Sequence, residues 1–222
     1  YDVLDRLTDT AVRGTAGEAN YDRDTDSTAP ARSDTILVSS TSYNDNGTVL
    51  AVTDPRGLVT RTLYDDAGRR TAEIRNYING TPSSTTADDD NYTRYVYSSG
   101  HMTQLWVDLD GDNVQDADDQ VTTYTYGVTK GASAGDSKIS SNDLLLKVTY
   151  PANGGGRNDE VFYAYNAQGQ QNWAKDQTLS IIETDFDTLG RPTQRRATTI
   201  AAELDSTVKR IATAYTARGM VD

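Results

Sequence analysis

Short runs of β-branched and aromatic residues alternate along this chain with clusters of Asp, Asn and Gly. Residues 48–53 and 58–64 each read as a strand, and Asp54-Pro55-Arg56-Gly57 between them reads as a turn. Pro presets the backbone at the second turn position, and Gly supplies a permissive fourth. A second turn follows at Asp65-Asp66-Ala67-Gly68, where Asp can accept from its own backbone and Gly tolerates positive φ. The order then repeats. Tyr43-Asn44-Asp45-Asn46-Gly47 is followed by Asp54 after 11 residues and by Tyr64 after 21. Tyr165-Asn166-Ala167-Gln168-Gly169 is followed by Asp176 after 11 and by Phe186-Asp187-Thr188-Leu189-Gly190-Arg191 after 21. Two strands and two turns per unit, restarted by an aromatic residue, predict a repeat architecture.

The same frame continues with insertions. Tyr95 and Tyr97 open a unit whose first strand ends at Leu105-Trp106-Val107-Asp108. An acidic insertion, 108–120, enlarges its turn before the return strand 121–126. A Gly/Ser-rich insertion, 130–142, precedes a strand at 144–150, a widened turn at 151–158 and a return strand at 161–165. Tyr215 to Gly219 begins another unit. Tyr1 to Arg6 reads as a unit start with Asp5 in place of Gly, and 13–34 as an irregular insertion. The expectation is an all-β chain, 1–222, forming a single array of antiparallel hairpins. It is read as an internal stretch of a longer polypeptide, because it begins within a unit.

Spacing by two places Tyr95/Tyr97, Tyr124/Tyr126 and Tyr163/Tyr165 pairwise on one sheet face. Rings stacked on neighbouring strands would cover the core side, with hydroxyls bonded to turn backbone. Composition agrees with strands: 17 Gly and 14 Tyr accompany only 36% hydrophobic residues. The net charge of −12 argues against a phosphate backbone as partner. With no cysteine there are no disulfides or thiolate metal sites. No apolar run approaches the ~20 residues of a membrane span.

Tyr64-Asp65-Asp66-Ala67-Gly68-Arg69, Phe186 to Arg191 and Tyr43 to Gly47, with the intervening Asp-Pro-x-Gly at Asp54, resemble YD repeats. These are the tandem units of bacterial Rhs proteins, insecticidal toxin-complex components and animal teneurins. The resemblance covers roughly residues 36–222. It implies a sheet that spirals into a β-shell or solenoid, enclosing a toxin domain in some relatives and serving adhesion or carbohydrate binding in others. Partners expected from it are the remainder of the same polypeptide, an encapsulated toxin domain, surface glycans or proteins, and further copies of the chain. An extracellular or cell-surface location follows from the same resemblance. Asp54-Pro55-Arg56-Gly57-Leu58 also matches a self-cleaving motif found in Rhs shells, but here the string is a turn in register, so cleavage is not expected.

One stretch carries candidate chemistry. Counting Asp108 as the first residue, Asp108, Asp110, Asp112, Asp116 and Asp119 fall at positions 1, 3, 5, 9 and 12. A calcium loop of the EF-hand type takes side chains at those positions and a backbone carbonyl from the seventh residue, here Val114. Short carboxylates on alternate residues can converge on a hard cation that wants about six to eight oxygens. The predicted ligands are therefore Asp108, Asp110, Asp112, Asp116, Asp119 and the Val114 carbonyl, with Ca²⁺ in a structural role. Asn113 replaces the usual Gly, and strands flank the loop where helices would be usual. Trp106 and Trp173 occupy related frame positions and are candidate glycan contacts. His101 is expected in an exposed turn, and Gly154-Gly155-Gly156 at a hairpin tip with no phosphate-binding role. Asp88-Asp89-Asp90 is expected in a solvated loop. No catalytic constellation is legible. The expected function is non-enzymatic: a structural segment of an exported shell or surface assembly with a calcium-stabilised loop. The alternative is an adhesin or carbohydrate-binding module using inserted loops and aromatic rings.

Overall fold

The computed structural model describes residues 1–13, 28–81, 89–110, 112, 114–152, 159–202, 204–207 and 209–222. The Gly154 to Gly156 tip and Asn113 lie outside them. Fourteen strands form and no helix is found among the described residues. Their hydrogen-bonded order is their chain order, β1 to β14, as the all-β hairpin reading predicts. The chain resolves into two compact units, Tyr1–Val96 with Leu105–Gln120, and Tyr97–Gln104 with Val121–Asp222.

The first unit contains β1 (Asp9–Arg13), β2 (Ile36–Tyr43), β3 (Val49–Thr53), β4 (Val59–Tyr64) and β5 (Arg70–Arg75), with most of β6 (Asn91–Ser98) and the end of β7 (His101–Val107). The strand β1 pairs antiparallel with β2, Arg13 opposite Ile36, so the irregular 13–34 insertion links two hydrogen-bonded neighbours. The core is small: Ala72, Ile74 and Tyr92 are buried, with Leu63 and Tyr77 packed against them. The segment after β5 is tied to the sheet by Tyr77 N–H to the Val59 carbonyl (2.8 Å) and Tyr92 O–H to the Gly80 carbonyl (2.9 Å).

The second unit holds β8 (Gln120–Val128), β9 (Ser141–Thr149), β10 (Glu160–Tyr165), β11 (Gln171–Lys175), β12 (Ile181–Phe186), β13 (Pro192–Thr199) and β14 (Arg210–Ala212). Val128, Val148, Ala164 and Tyr165 are buried. The 130–142 insertion is packed against the end of β10. Lys138 N–H donates to the Tyr165 carbonyl (2.7 Å), and the buried Ser137 hydroxyl accepts from Tyr165 N–H (3.2 Å).

One five-residue turn recurs in both units. Asp65 shows it complete. Its N–H donates to the Arg69 carbonyl (3.0 Å), and Gly68 N–H returns to the Asp65 carbonyl (2.9 Å). Asp65 Oδ1 accepts from Ala67 and Arg69 N–H at 3.0 and 2.9 Å, while Oδ2 accepts from Arg69 Nε at 2.8 Å. Asp187 repeats every one of these bonds with Leu189, Gly190 and Arg191. Asp2, Asp54, Asn166 and Asp176 accept from the same two backbone positions. The turn therefore satisfies, within its own span, the backbone donors that leave the ladder. Its fourth residue is left-handed: Gly68 has φ 77°, and where Gly is missing Asp5 and Leu179 adopt φ 60° and 65°. Asp tolerates this region, whereas Leu is strained there.

The turns differ at the two ends of the strands. Where an aromatic residue precedes the turn, the ladder slips by one. Tyr43 pairs with Val49 but Ser42 with Ala51; Tyr64 pairs with Arg70 but Leu63 with Ala72. Tyr165 and Phe186 show the same shift. Leu50, Thr71, Asn172 and Thr193 are the extra residues, a β-bulge at one fixed frame position. The Asp54 and Asp176 turns, at the opposite strand ends, have regular ladders. The aromatic ring also joins one turn to the next along its end of the strands. Arg6 lies over the Tyr43 ring and Arg191 over the Tyr215 ring, both at 4.4 Å. The Tyr43 and Tyr215 hydroxyls donate to the carbonyls of Leu7 and Pro192, the residues after those arginines, both at 2.8 Å.

The bond to the Arg69 guanidinium, then that to its N–H, holds the Asp65 carboxyl below the ordinary carboxylate range; at Asp187 the Arg191 N–H leads and its guanidinium follows. A depressed folded pKa adds stability above the unfolded value, and that stability is lost as pH falls through the folded one. The urea midpoint should therefore decline as pH drops below about 4, and an Asp65→Asn/Asp187→Asn variant should show a shallower decline. An unchanged slope contradicts this. Leu179→Gly should raise the unfolding free energy by about 0.5–1 kcal/mol, strain relief outweighing added chain entropy. A lower urea midpoint for that variant is the contrary result.

Candidate functional site

The acidic insertion leaves β7 at Asp108, which is buried and whose N–H donates to the Tyr92 carbonyl (3.2 Å). Beyond it the loop is a chain of local turns. Asp110 Oδ1 accepts from Asp112 N–H (3.2 Å), Asp112 Oδ1 from Val114 N–H (2.7 Å), and Asp116 Oδ1 from Asp118 N–H (2.8 Å). Such Asx turns gather alternate carboxylates on one side of the backbone. Asp108, Asp110 and Asp112 bring one oxygen each within 4.8 Å of one another, and Asp110, Asp116 and Asp118 do the same. Asp110 belongs to both groups. Three of the predicted ligand carboxylates, Asp108, Asp110 and Asp112, thus share one group, while Asp116 joins Asp110 in the other.

Asp119 is placed differently. Its carboxylate faces inward, accepting from the Trp106 indole N–H at 2.7 Å, Asp116 N–H at 3.1 Å and Leu109 N–H at 3.1 Å. It closes the loop onto β7 and stands in neither carboxylate group; Asp118, one residue earlier, takes the place beside Asp116. Spacing along the chain does not reveal this exchange. It depends on the indole of Trp106 reaching the loop from within the sheet.

Burial corrects the expectation for Trp106. Trp106 is 7% exposed, with the Arg94 guanidinium 5.3 Å from its ring and 4.3 Å from that of Tyr92. Its surface is spent on packing and its one donor on Asp119, so it offers no stacking platform. Trp173 is half-buried against the 130–142 insertion: a methyl placed on Gly135 would lie 3.2 Å from its ring. His101 begins β7 and is not in a free turn. Its ring stacks on Tyr126 at 4.4 Å, and Nε2 lies 3.0 Å from an Asp143 oxygen. In the 88–90 run, Asp88 lies outside the described residues. Asp90, at 1% exposed, is no solvated residue: its carboxylate accepts from Ile78, Asn79 and Gly80 N–H at 3.0–3.2 Å. The Asp54 carboxylate is likewise occupied by Arg56 and Leu58 N–H and the Arg56 guanidinium, a turn-closing role. Of the paired tyrosines, Tyr165 donates its hydroxyl to the Leu145 carbonyl (2.8 Å), within strand β9 and not at a turn as expected.

These features define an all-β array of hairpins closed by carboxylate-capped turns, with a loop of clustered acids inserted in one of them. Residues 43–76 match the family model described as RHS repeat. That segment holds two of the three motifs that carry the resemblance, the turns at Tyr43 and Tyr64, and the Asp-Pro-x-Gly turn between them; Phe186 to Arg191 lies outside it. No curated protein matches. Among solved structures, "Crystal Structure of TcdB2-TccC3 without hypervariable C-terminal region" is 14% identical, with a TM-score of 0.48, over 98% of this chain and 12% of that one. "Crystal Structure of TcdB2-TccC3-Cdc42" gives 13%, 0.48, 99% and 12%. "Structure of Photorhabdus luminescens Tc holotoxin pore, Mutation TccC3-D651A" gives 12%, 0.25, 83% and 15%. The chain spans 12% of the length of the first two.

Asp119→Ala leaves the Trp106 indole and two loop N–H groups without their acceptor. It should lower the unfolding free energy by about 2 kcal/mol and shift Trp106 emission to the red as water reaches the ring. Unchanged emission and stability would remove the closing role assigned to Asp119.

Proposed function

We propose that the chain is a non-enzymatic structural segment of an exported RHS-repeat protein, contributing strands to a β-sheet shell or surface assembly. The observation that carries this is the recurrence, in both units, of one turn, one bulge and one aromatic-to-arginine contact in a single frame. A frame that joins each turn only to its neighbours extends by adding hairpins, without a central core. No helix among the described residues is long and apolar enough to cross a membrane. Hydrogen exchange tests this reading: Asp187→Ala should lose protection in its own and adjacent hairpins, with distant hairpins unaffected. Uniform loss across the chain would point to one cooperative globular domain instead.

The acidic loop is proposed as a calcium site with a structural role. Asp108, Asp110, Asp112 and Asp116 supply carboxylates, Asp118 joins them, and Val114 offers its carbonyl, while Asp119 holds the loop closed. Two overlapping carboxylate triads support this, since close like charges repel until a cation offsets them. Calorimetric titration should give a Kd of about 10⁻⁴–10⁻³ M, in the range of extracellular modules. Calcium should raise the melting temperature of the chain but not that of an Asp110→Asn/Asp112→Asn variant. Absence of heat and of a melting shift at about ten times that concentration refutes the site.

A further inference from the structure

The fifth residue of an aromatic-led turn reaches toward the fourth residue of the next such turn. Arg6 Nη1 lies 4.0 Å from a methyl placed on Gly47, and Arg191 Nη1 3.5 Å from one placed on Gly219. In both places the guanidinium covers the following aromatic ring. Gln170 makes a shorter bridge, its amide donating to the Gly190 carbonyl at 2.8 Å. Thr48 does not reach across. Its hydroxyl is bonded within its own turn, to Asn46 Oδ1 at 2.7 Å, and a methyl placed on Gly68 would meet nothing within 4 Å. Tyr64, the aromatic residue that follows Thr48 in the frame, is therefore without what Tyr43 and Tyr215 have. Among the described residues no cation covers its ring and its hydroxyl makes no hydrogen bond.

A groove of about 770 Å³ lies between the two turns, lined by Asn44, Asp45, Asn46, Leu50, Tyr64 and Asp66 among others. The β3–β4 ladder ends at Ala51 opposite Arg61, so the strands part beyond it. Their outer neighbours, β2 and β5, are both paired within the chain, so the groove is not an open edge of the array. Asp45 and Asp66, one on each turn, are exposed and enter no ion pair among the described residues. Arg61 also lines the groove, but its Nε is buried and its guanidinium is turned onto Tyr77, 4.9 Å from the ring and 2.8 Å from the hydroxyl. The corresponding groove beside Gln170, about 520 Å³, has Ala167 and Thr188 at the frame positions of Asp45 and Asp66. We infer that the groove between Asn44 and Asp66 receives an arginine side chain from a basic segment of another polypeptide. The guanidinium takes, over Tyr64, the place that Arg6 and Arg191 take over Tyr43 and Tyr215. Asp45 and Asp66 are its counter-ions, and Leu50 receives the aliphatic stem. The net charge of −12 favours the approach of a basic partner.

Titrating the peptide acetyl-Gly-Arg-Gly-Arg-Gly-amide into the whole ¹⁵N-labelled chain tests this. Amide shifts at 44–48 and 64–69 should move together and saturate, while those at 166–170 and 186–191 stay in place. Citrulline in place of arginine keeps the shape without the charge and should abolish the response, and lysine should weaken it, because an ammonium lacks the planar fork. Thr48→Arg supplies the guanidinium from within and should weaken peptide binding at least about tenfold. Asp205→Asn makes the same change of charge away from the groove and should leave binding as it was. Asp45→Asn/Asp66→Asn should also weaken it about tenfold, with circular dichroism confirming that each variant folds. No saturable shift at millimolar peptide, equal binding of the citrulline peptide, or binding unaffected by Thr48→Arg would each overturn the proposal. Inorganic phosphate moving the same amides where the peptide does not would overturn it too, by assigning the groove to an anion.

Discussion

The structure depends on the capture of backbone donors by a single side-chain oxygen at each turn. A hairpin array has many turns and little core, so every turn must satisfy its own backbone. Asp65 and Asp187 show how: Oδ1 takes two N–H groups and Oδ2 takes the guanidinium of the fifth residue. An unbonded buried N–H would cost more than the bond contributes, which explains why a short residue with an acceptor opens almost every turn. Thr216 opens the last one and uses its hydroxyl in the same way, accepting from Met220 N–H at 3.2 Å.

The aromatic residue before each such turn has a geometric task as well as a packing one. It marks the bulge, so the strand that follows begins one residue out of register with its predecessor. At Tyr43 and Tyr215 the hydroxyl and ring also bind the carbonyl of Leu7 or Pro192 and the arginine of the preceding turn. A half-exposed ion pair such as Arg191 with Asp187 adds little alone. Here the same guanidinium closes its own turn and covers the next aromatic ring, which couples successive hairpins and lets a sheet with a small core keep its order.

Most of the fold was legible because the turn signals are local. The Asx residue, its usual Gly and the intervening spacing lie within five residues, and most strands between them carry β-branched residues. The grouping of Asp108, Asp110 and Asp112 was legible for the same reason, since Asp residues at alternate positions favour local Asx turns. Asp119 was not, because its partner Trp106 lies 13 residues away and reaches it only through the sheet. His101 and Asp90 were misjudged for the same cause. One is held by Tyr126 and Asp143, the other by a loop 10 to 12 residues distant.

By itself the sequence determined where the chain turns, which segments are strands and that the strands follow one another in order, since each of those outcomes is decided by bonds spanning a few residues. The tertiary structure alone decided which aspartate closes the acidic loop and which tryptophan is covered. Burial and charge compensation depend on neighbours brought together by strand pairing, and the bulged register of that pairing has no signature within any one strand.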